Sequence, residues 1–292
     1  MIATPMHGRT CLVTGATSGI GKATALALAG LGATVVLVCR NESKGREAAR
    51  QLRAATGNET INVLVADLSL QWEIRRLAAD FSLQHERLDV LVNNAGAMFP
   101  HRVETDEGIE KTLAVNHLAP FLLTNLLLKN LKAAGEARVI NVNSDAHEKG
   151  IIDFDDIHML RHYPSGGVGM RAYGNAKLAN LLATYELARR LRDSGVAVNA
   201  LHPGYVATNI LPLDRASGPV RLLKPLWHIA KHAILTAEQG AATPVYLASS
   251  PEVKNVSGLY FEKCVPVASS AASRDRNLQE RVWGISEQLT GG

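Results

Sequence analysis

Cysteines, aromatic residues and long apolar segments are all scarce in this chain of 292 residues, and each scarcity argues against a class of protein. The three cysteines, Cys11, Cys39 and Cys264, are widely spaced and form no C-x-x-C pair. We therefore expect reduced thiols and a cytoplasmic location rather than a disulfide-stabilised secreted fold. The sequence shows no apolar signal segment and no uncharged run of about 18 apolar residues, so we expect no transmembrane helix.

Charge and metal-ligand patterns are also weak. The net charge is only +4 and the basic residues are spread through the chain, which gives little support for nucleic-acid binding. His158 and His162 lie four residues apart without a carboxylate motif, and we expect no metal site. Ser144 lies near Asp145 and His147, but the absence of a G-x-S-x-G elbow argues against a hydrolase.

Short β-branched apolar runs alternate with longer amphipathic stretches along the chain, and 47% of its residues are hydrophobic. This alternation predicts an α/β fold, a single doubly wound domain over 1–292 with a parallel sheet of about seven strands flanked by helices. Irregular regions at 145–170 and 203–237 follow strand ends where such sheets bind ligands, and we expect them to shape a substrate site. The predicted strands are 10–15, 33–39, 60–67, 88–94, 137–144, 196–202 and 258–263, and the predicted helices are 19–31, 42–56, 70–86, 105–132, 171–193, 238–249 and 274–289.

The stretch TGATSGIG at 14–21 joins the first predicted strand to the first predicted helix. Its glycines let the backbone turn tightly and approach a pyrophosphate, which then lies on free N–H groups at the helix N-terminus. The spacing is G-x-x-x-G-x-G rather than G-x-G-x-x-G, but its place between strand and helix predicts a dinucleotide-binding turn. The cofactor contacts predicted here are Gly15, Thr17, Ser18, Gly19, Ile20 and Gly21.

The second predicted strand ends in VVLVCRN, where NAD-preferring folds usually carry an acidic residue that binds the ribose 2′-hydroxyl. This chain has Arg40 followed by Asn41 instead. Because a guanidinium can bind a 2′-phosphate through paired hydrogen bonds, Arg40 predicts NADP(H) in preference to NAD(H). Lys44 is able to assist, although a solvated helix face explains it equally well.

Tyr173 and Lys177 lie four residues apart in the predicted helix AYGNAKLANLLATYELARR, so their side chains share one face. A neighbouring ammonium favours the phenolate, and we expect it to lower the pKa of Tyr173 from ~10. Tyr173 would then donate and accept a proton near neutral pH. On the pair alone, a packed tyrosine beside a solvated lysine is a simpler explanation than a catalytic pair. The other motifs of the chain decide between the two.

Taken together, these motifs resemble the short-chain dehydrogenase/reductase family over almost the whole chain, which implies a Rossmann-type fold. AD at 66–67 is similar to the family's adenine contact, NNAG at 93–96 to its motif after the fourth strand, and PGYVAT at 203–208 to its nicotinamide-side loop. The cofactor contacts that the resemblance implies are Asp67, Leu68, Asn94, Ala95, Gly96, Tyr173, Lys177, Pro203, Gly204, Val206 and Thr208.

The resemblance also implies a reaction, the transfer of a hydride between a nicotinamide and an alcohol or carbonyl carbon. Tyr173 would exchange the proton, and Lys177 would tune its pKa and contact the nicotinamide ribose. Ser144 would hold the carbonyl oxygen and stabilise its developing charge. Asn116 would hold a water that connects Lys177 to solvent, so the implied catalytic residues are Asn116, Ser144, Tyr173 and Lys177.

Within the family, LVCRNESKG, VNHLAPFLLTNLLL and YLASSPEVKNVSGLYFEK are similar to the retinol-dehydrogenase-like branch. That branch prefers NADP(H), and the implied substrate is an apolar alcohol or carbonyl of retinoid, steroid or lipid-aldehyde type. The sequence departs from that branch at three points, of which the two substitutions bear on substrate or cofactor preference. This sequence shows no apolar N-terminal anchor, Asn143 stands where Ser is common, and Ala176 stands where another Ser is common.

Two other functions share this pattern. A non-catalytic NADP(H)-binding sensor or scaffold predicts erosion of the catalytic residues, which are all present here. A nucleotide-sugar epimerase or dehydratase shares the Tyr-x-x-x-Lys pair, but usually has different glycine spacing and a longer C-terminal domain.

The sequence also suggests features around the site. Residues 217–235 are apolar with three basic residues, and predict either a substrate-covering lid or a packed helix, with peripheral membrane contact as a further hypothesis. The helices at 105–132 and 171–193 commonly pair between subunits in the family, so we expect a homo-oligomer.

Overall fold

The computed structural model describes residues 6–161, 163, 169–206 and 235–291. Within these residues eight strands form one sheet in the order β3-β2-β1-β4-β5-β6-β7-β8. The first seven strands are parallel and β8 is antiparallel to β7, which confirms the doubly wound α/β sheet and adds one strand to it. The strands are β1 (Thr10–Thr14), β2 (Thr34–Cys39), β3 (Ile61–Val65), β4 (Val90–Asn93), β5 (Ala137–Val142), β6 (Val196–His202), β7 (Tyr260–Glu262) and β8 (Val265–Val267).

The central strands form because their apolar side chains are covered on both faces of the sheet. Every residue of β5 and β6 is buried. One face packs against a core that includes Phe81, Leu123 and Trp283, and the other against a core that includes Leu28 and Leu52. Helical layers therefore enclose the sheet on either side, and the strand ends are the places left open for a ligand.

Apart from the predicted helix at 105–132, the helices of these layers follow the predicted pattern with small changes in their bounds. Their order along the chain is α1 (Gly19–Gly30), α2 (Glu42–Thr56), α3 (Gln71–Gln84), α4 (Lys111–Leu113), α5 (Ala119–Leu126), α6 (Leu128–Ala133), α7 (Met170–Arg190), α8 (Ala237–Ser249) and α9 (Arg276–Thr290). Asn41 caps α2, and Thr236 with Gln239 forms a capping box at the start of α8.

The single helix predicted at 105–132 is correct only in part, because the helical residues begin at Lys111 and are not α-helical throughout. An isolated bridge pairs Glu104 with Glu110, and a π-helical turn (Ala114–Leu118) separates α4 from α5. Pro120 has no N–H, so the carbonyl of Asn116 cannot receive the usual α-helical hydrogen bond from the residue four positions later. The break falls at the residue that the family resemblance assigns to the proton relay.

The C-terminal helix α9 packs along α7. Trp283 contacts the Phe121 ring edge-on, with 4.8 Å between ring centres, and the Arg190 guanidinium lies 4.3 Å from the centre of the Trp283 ring. The His117 ring forms a 2.7 Å hydrogen bond with the Ser286 hydroxyl. The helices that were expected to pair between subunits therefore contact α9 of the same chain on the face that carries Phe121 and Arg190. The expected oligomer stays a prediction.

Some sequence predictions fall outside the described ranges. Thr208 lies there, and so does nearly all of the predicted lid at 217–235, of which only Leu235 is described. No helix in the described part of the chain is long and apolar enough to cross a membrane. The cysteines are free, and of the three only Cys264 is partly exposed.

Candidate active site

The glycine turn between β1 and α1 leaves no room for side chains at Gly15 and Gly21. Gly15 has a φ of +66° and Gly19 a φ of +54°, in the region that favours glycine. A Cβ on Gly15 would lie 3.0 Å from the Cα of Ala95, and one on Gly21 would lie 2.6 Å from the carbonyl oxygen of Gly15. Ile20 is buried in the first turn of α1. Bare backbone therefore lines the approach to the N-terminus of α1.

Asn94 fastens the segment after β4 to this turn. Its Nδ2 donates to the Thr14 carbonyl at 2.8 Å, while the Thr14 hydroxyl accepts from the N–H groups of Asn94 and Ala95 at 2.9 Å each. Thr17 is half-buried and Ser18 is exposed. The Ser18 side chain makes no capping hydrogen bond to the described residues, so the first N–H groups of α1 are available to an anion such as a pyrophosphate.

The end of β2 presents an exposed cation. Arg40 is exposed there, and Asn41 beside it accepts a hydrogen bond from the N–H of Lys44 at 2.9 Å. This cap fixes the backbone that carries the Arg40 guanidinium. The charge lies at the carboxyl edge of the sheet, where the predicted 2′-phosphate contact requires it.

Asp67 follows β3 and accepts hydrogen bonds from the N–H and hydroxyl of Ser69 at 2.9 and 2.8 Å. Burial raises the pKa of this carboxyl, but the Ser69 hydrogen bonds and the charges of Lys111 and Arg40 together hold it below its usual value. Leu68 packs against the core. Lys111 is a second cation beside the predicted adenine contact, and the sequence gives no local signal that separates it from a solvated lysine.

Tyr173 and Lys177 lie on the buried face of α7, at 6% and 3% exposure. The Nζ of Lys177 donates to the Val142 carbonyl at 2.9 Å and lies 5.4 Å from the centre of the Tyr173 ring. The four-residue spacing thus places the phenol and the ammonium side by side at the carboxyl end of β5.

The expected lowering of the Tyr173 pKa is wrong for this structure. Burial is the main cause and raises the pKa of Tyr173 to about 12, with a smaller lowering by the Ser144 hydroxyl and a smaller raising by the Asp145 carboxylate. Burial also lowers the pKa of Lys177 to about 8. The prediction fails because the spacing identifies the neighbouring ammonium but not the depth at which both groups are buried.

Ser144 follows β5 and is held by its neighbours in sequence. Its hydroxyl donates to Asp145 Oδ1 at 3.0 Å and accepts from the N–H of Ala146 at 3.2 Å. Asn143 Oδ1 accepts from the N–H of Ser144 at 2.7 Å, and its Nδ2 donates to the carbonyl of Lys177 at 3.0 Å. Asn143, visible in the sequence only as a departure from Ser, therefore links Ser144 to α7.

Asn116 lies close to the buried lysine. Its Nδ2 donates to the carbonyls of Ala97 and Thr112 at 2.7 and 2.8 Å. A Cβ on Gly96 would lie 2.9 Å from the Asn116 Oδ1 and 3.7 Å from the Lys177 Nζ. Both polar groups thus meet at the bare backbone of Gly96, as a relay between them requires.

The loop 203–206 follows β6 at the same edge. Gly204 has a φ of +83°, and the carbonyl of Tyr205 accepts from the N–H of Leu235 at 2.8 Å. The Tyr205 hydroxyl donates to Asp145, which connects this loop to the residue that follows Ser144. Neither Asp145 nor Tyr205 carries a sequence signal for this contact, since 60 residues separate them.

The described site groups gather at the carboxyl edge of the parallel sheet. The edge offers uncapped N–H groups for an anion, two cations near Asp67, and a buried phenol beside an ammonium. Ala176, on another face of α7, instead lines a cavity of about 120 Å³ next to the segment 151–161. No cluster of three or more potential metal ligands occurs in the described residues. This arrangement suits a bound dinucleotide next to a proton-transfer group.

Comparisons with known proteins agree with this geometry. A family profile described as short chain dehydrogenase matches residues 9–155. Retinol dehydrogenase 14 of Homo sapiens is 40% identical over 300 residues, a match that covers 98% of this chain and 87% of that protein. Retinol dehydrogenase 13 of Homo sapiens is 41% identical over 285 residues and covers 97% and 85%.

Solved structures share the fold over nearly the whole chain. An uncharacterized protein from Mycobacterium paratuberculosis has a TM-score of 0.77 at 33% identity, covering 98% of this chain and 94% of that one. The Pseudomonas aeruginosa RhlG/NADP active-site complex has a TM-score of 0.69 at 28% identity, covering 94% and 100%.

Proposed function

Because this chain belongs to the short chain dehydrogenase family of oxidoreductases, we propose that it transfers a hydride between NADP(H) and an apolar alcohol or carbonyl compound. The observation that carries this proposal is the buried pair of Tyr173 and Lys177 beside Ser144, at the same sheet edge as the glycine turn. A fold that only binds a dinucleotide could use Lys177 at the ribose, but it has no need of a buried phenol and a serine hydroxyl beside that lysine.

The residues at this edge fit NADP(H). The bare glycine backbone and the uncapped N-terminus of α1 suit the pyrophosphate, and Asp67 lies where the adenine contact is expected. Arg40, with Lys111 nearby, supplies positive charge for a 2′-phosphate. The similar RhlG structure contains NADP, which supports a nicotinamide cofactor here. When bound, the cofactor supplies or accepts the hydride at the nicotinamide C4.

Tyr173 exchanges the proton in this proposal. With a pKa of about 12 the phenol is protonated at neutral pH, which is the form that donates to a carbonyl oxygen during reduction. Oxidation of an alcohol requires the phenolate instead. The raised pKa therefore favours reduction near neutral pH and oxidation under alkaline conditions.

The neighbouring groups hold and resupply this proton. The pKa of Lys177, lowered by burial to about 8, lets its ammonium release and regain a proton close to neutral pH. Asn116 holds the water that connects Lys177 to solvent, and Lys177 also contacts the nicotinamide ribose. The Ser144 hydroxyl orients the substrate oxygen and stabilises its developing charge.

An apolar substrate is supported by the relatives, which are named retinol dehydrogenases. The lid, the peripheral membrane contact, the homo-oligomer and the cytoplasmic location remain predictions.

The test is a screen for NADPH consumption over aldehydes, ketones, steroids and retinoids, with NADH run in parallel. We expect the parent to oxidise NADPH with at least one apolar carbonyl, and Tyr173→Phe to lose that activity. Tight NADPH binding without turnover on any carbonyl or alcohol would instead support the sensor or scaffold function.

A further inference from the structure

Asp145 contacts two parts of the site at once. It begins a short 3-10 helix (Asp145–Lys149), and its carboxylate is half-buried. Oδ1 accepts from the Ser144 hydroxyl at 3.0 Å, and Oδ2 accepts from the Tyr205 hydroxyl. One carboxylate thus joins the end of β5 to the loop 203–206.

These contacts fix the orientation of the Ser144 hydroxyl. Its single proton points to Asp145, and one of its two lone pairs accepts from the N–H of Ala146. One lone pair remains for another donor. The Ser144 hydroxyl also lowers the pKa of Tyr173, so it lies within reach of the phenol.

Tyr205 is 71% exposed, yet its hydroxyl points inward to Asp145. Its ring stands edge-on to His202, with 5.6 Å between ring centres and 79° between the planes. Its carbonyl accepts from the N–H of Leu235. The side chain therefore spans the carboxyl ends of β5 and β6 as a tether.

We propose that Asp145 is a positioning residue that couples the loop 203–206 to Ser144 and Tyr173, an inference that rests on the proposed function. One carboxylate oxygen accepts the Ser144 proton and so fixes the orientation of that hydroxyl, and the other holds Tyr205. The negative charge disfavours the Tyr173 phenolate, and the carboxylate competes with the substrate oxygen for the Ser144 proton. Asp145 thereby controls proton transfer through its neighbours.

Asp145 is ionised at neutral pH. Burial raises its pKa, but hydrogen bonds from Tyr205 and Ser144 and the nearby His202 ring together hold it below its usual value. The titratable groups that surround it are Tyr173 on α7, His202 on β6, Tyr205 on the loop 203–206, Tyr260 and Glu262 on β7, and His147 and Glu148 on its own segment.

The first test measures the tether without any activity assay. Asp145→Ala, Tyr205→Phe and the double variant are unfolded with urea, and their folding equilibrium constants are compared with the parent's. Either single change breaks the same hydrogen bond. We therefore expect the folding equilibrium constant of the double variant to be at least about fivefold larger than the sum of the two single effects on stability predicts. Additive effects would overturn the tether.

The second test follows alcohol oxidation against pH, using the alcohol that corresponds to the best carbonyl of the screen. Asp145→Asn removes the charge beside Tyr173, and we expect the midpoint of the alkaline rise to move down by about half to one pH unit. Glu148→Gln is the matched control, since Asp145 and not Glu148 acts on the pKa of Tyr173.

The outcomes separate this inference from the proposed function. An active parent whose midpoint is unchanged in Asp145→Asn, or moves equally in Glu148→Gln, overturns the role of Asp145 alone. A parent that transfers no hydride to or from NADP(H) overturns the proposed function, and the unfolding cycle then still decides whether Asp145 holds Tyr205.

Discussion

The cofactor side and the catalytic side of this sheet edge hold their groups by opposite means. On the cofactor side, Thr14 and Asn94 join the glycine turn to the segment after β4 through neutral hydrogen bonds, and glycine permits the close approach. On the catalytic side, Tyr173 and Lys177 are ionisable groups buried with pKa values shifted away from their charged forms. Close steric fit therefore determines the structure of the cofactor side, whereas burial and charge determine the protonation states on the catalytic side.

The largest effect is expected for Tyr173→Phe, which removes the proton of the catalytic side and leaves the cofactor side intact. General acid–base groups contribute about 10²–10⁴-fold, so turnover should fall by about that factor while NADPH affinity is retained. Steady-state kinetics and a fluorescence titration with NADPH measure the two quantities.

Tyr185→Phe is the matched control for this change, since Tyr185 is also on α7 but bonds to Ser269 rather than to the site. We expect it to stay near the parent's activity. A Tyr173→Phe variant within about tenfold of the parent would contradict the assigned proton transfer.

The strands and the glycine turn of the cofactor side could be predicted from the sequence, because their signals are local. Apolar runs buried on both faces predict the parallel strands, and the glycines at 15, 19 and 21 predict the turn. β8 carries no such signal, because its three residues are exposed and it forms by pairing with β7 across a turn. Lys263 and Cys264 both have positive φ in that turn, although neither is glycine.

On the catalytic side, the sequence predicts which residues gather but not how deeply they are buried or which neighbours hold them. The resemblance indicates Ser144, Tyr173 and Lys177, and the described structure brings them together. The predicted direction of the shift in the Tyr173 pKa was wrong, because the depth at which the phenol is buried depends on tertiary packing. The roles of Asn143 and Asp145 depend on contacts with residues 34 and 60 positions away, which no local pattern encodes.

Arg40→Asp tests whether the cofactor side also uses charge. The change removes a partner of the 2′-phosphate and supplies an acceptor for a ribose hydroxyl. A charge-assisted hydrogen bond contributes roughly 1.5–3 kcal/mol, so the ratio of NADPH to NADH affinity should fall by about ten- to a hundredfold. Arg50→Ala, at an exposed arginine of α2 that pairs with Glu47, serves as the control, and an unchanged affinity ratio in Arg40→Asp would exclude Arg40 from phosphate binding.

Lys177→Met tests the cost of burial on the catalytic side. Lowering the pKa of this lysine from 10.5 to about 8 corresponds to about 3 kcal/mol of lost stability at neutral pH. Losing the hydrogen bond to Val142 costs about 1 kcal/mol, so we expect the inactive variant to be about 2 kcal/mol more stable to urea at pH 7. Lys129→Met, at an exposed lysine, should change stability by less than about 0.5 kcal/mol.

The pH dependence of this gain follows from the same shift. Below about pH 8 the lysine is protonated in both states, and the penalty on the folded parent is complete. Between about pH 8 and 10.5 the folded state releases the proton before the unfolded state does, so the parent becomes relatively more stable. The stability difference between Lys177→Met and the parent should therefore narrow across that range. If the stability difference stays constant across that range, the buried charge of Lys177 is not the cause of the gain.

The smallest effect is expected for Gly21→Ala, which adds one methyl group to the cofactor side. That methyl would lie 2.6 Å from the Gly15 carbonyl and would also clash with the Asn94 amide, which is held by Thr14. Overpacking of this kind costs about 1–3 kcal/mol, and we expect NADPH affinity to fall about tenfold. Gly284→Ala is the matched control, because Gly284 lies within α9 with open space around it and the added methyl should stabilise the helix by about 0.5–1 kcal/mol. If Gly21→Ala binds NADPH as tightly as Gly284→Ala does, close backbone approach is not what shapes the cofactor side.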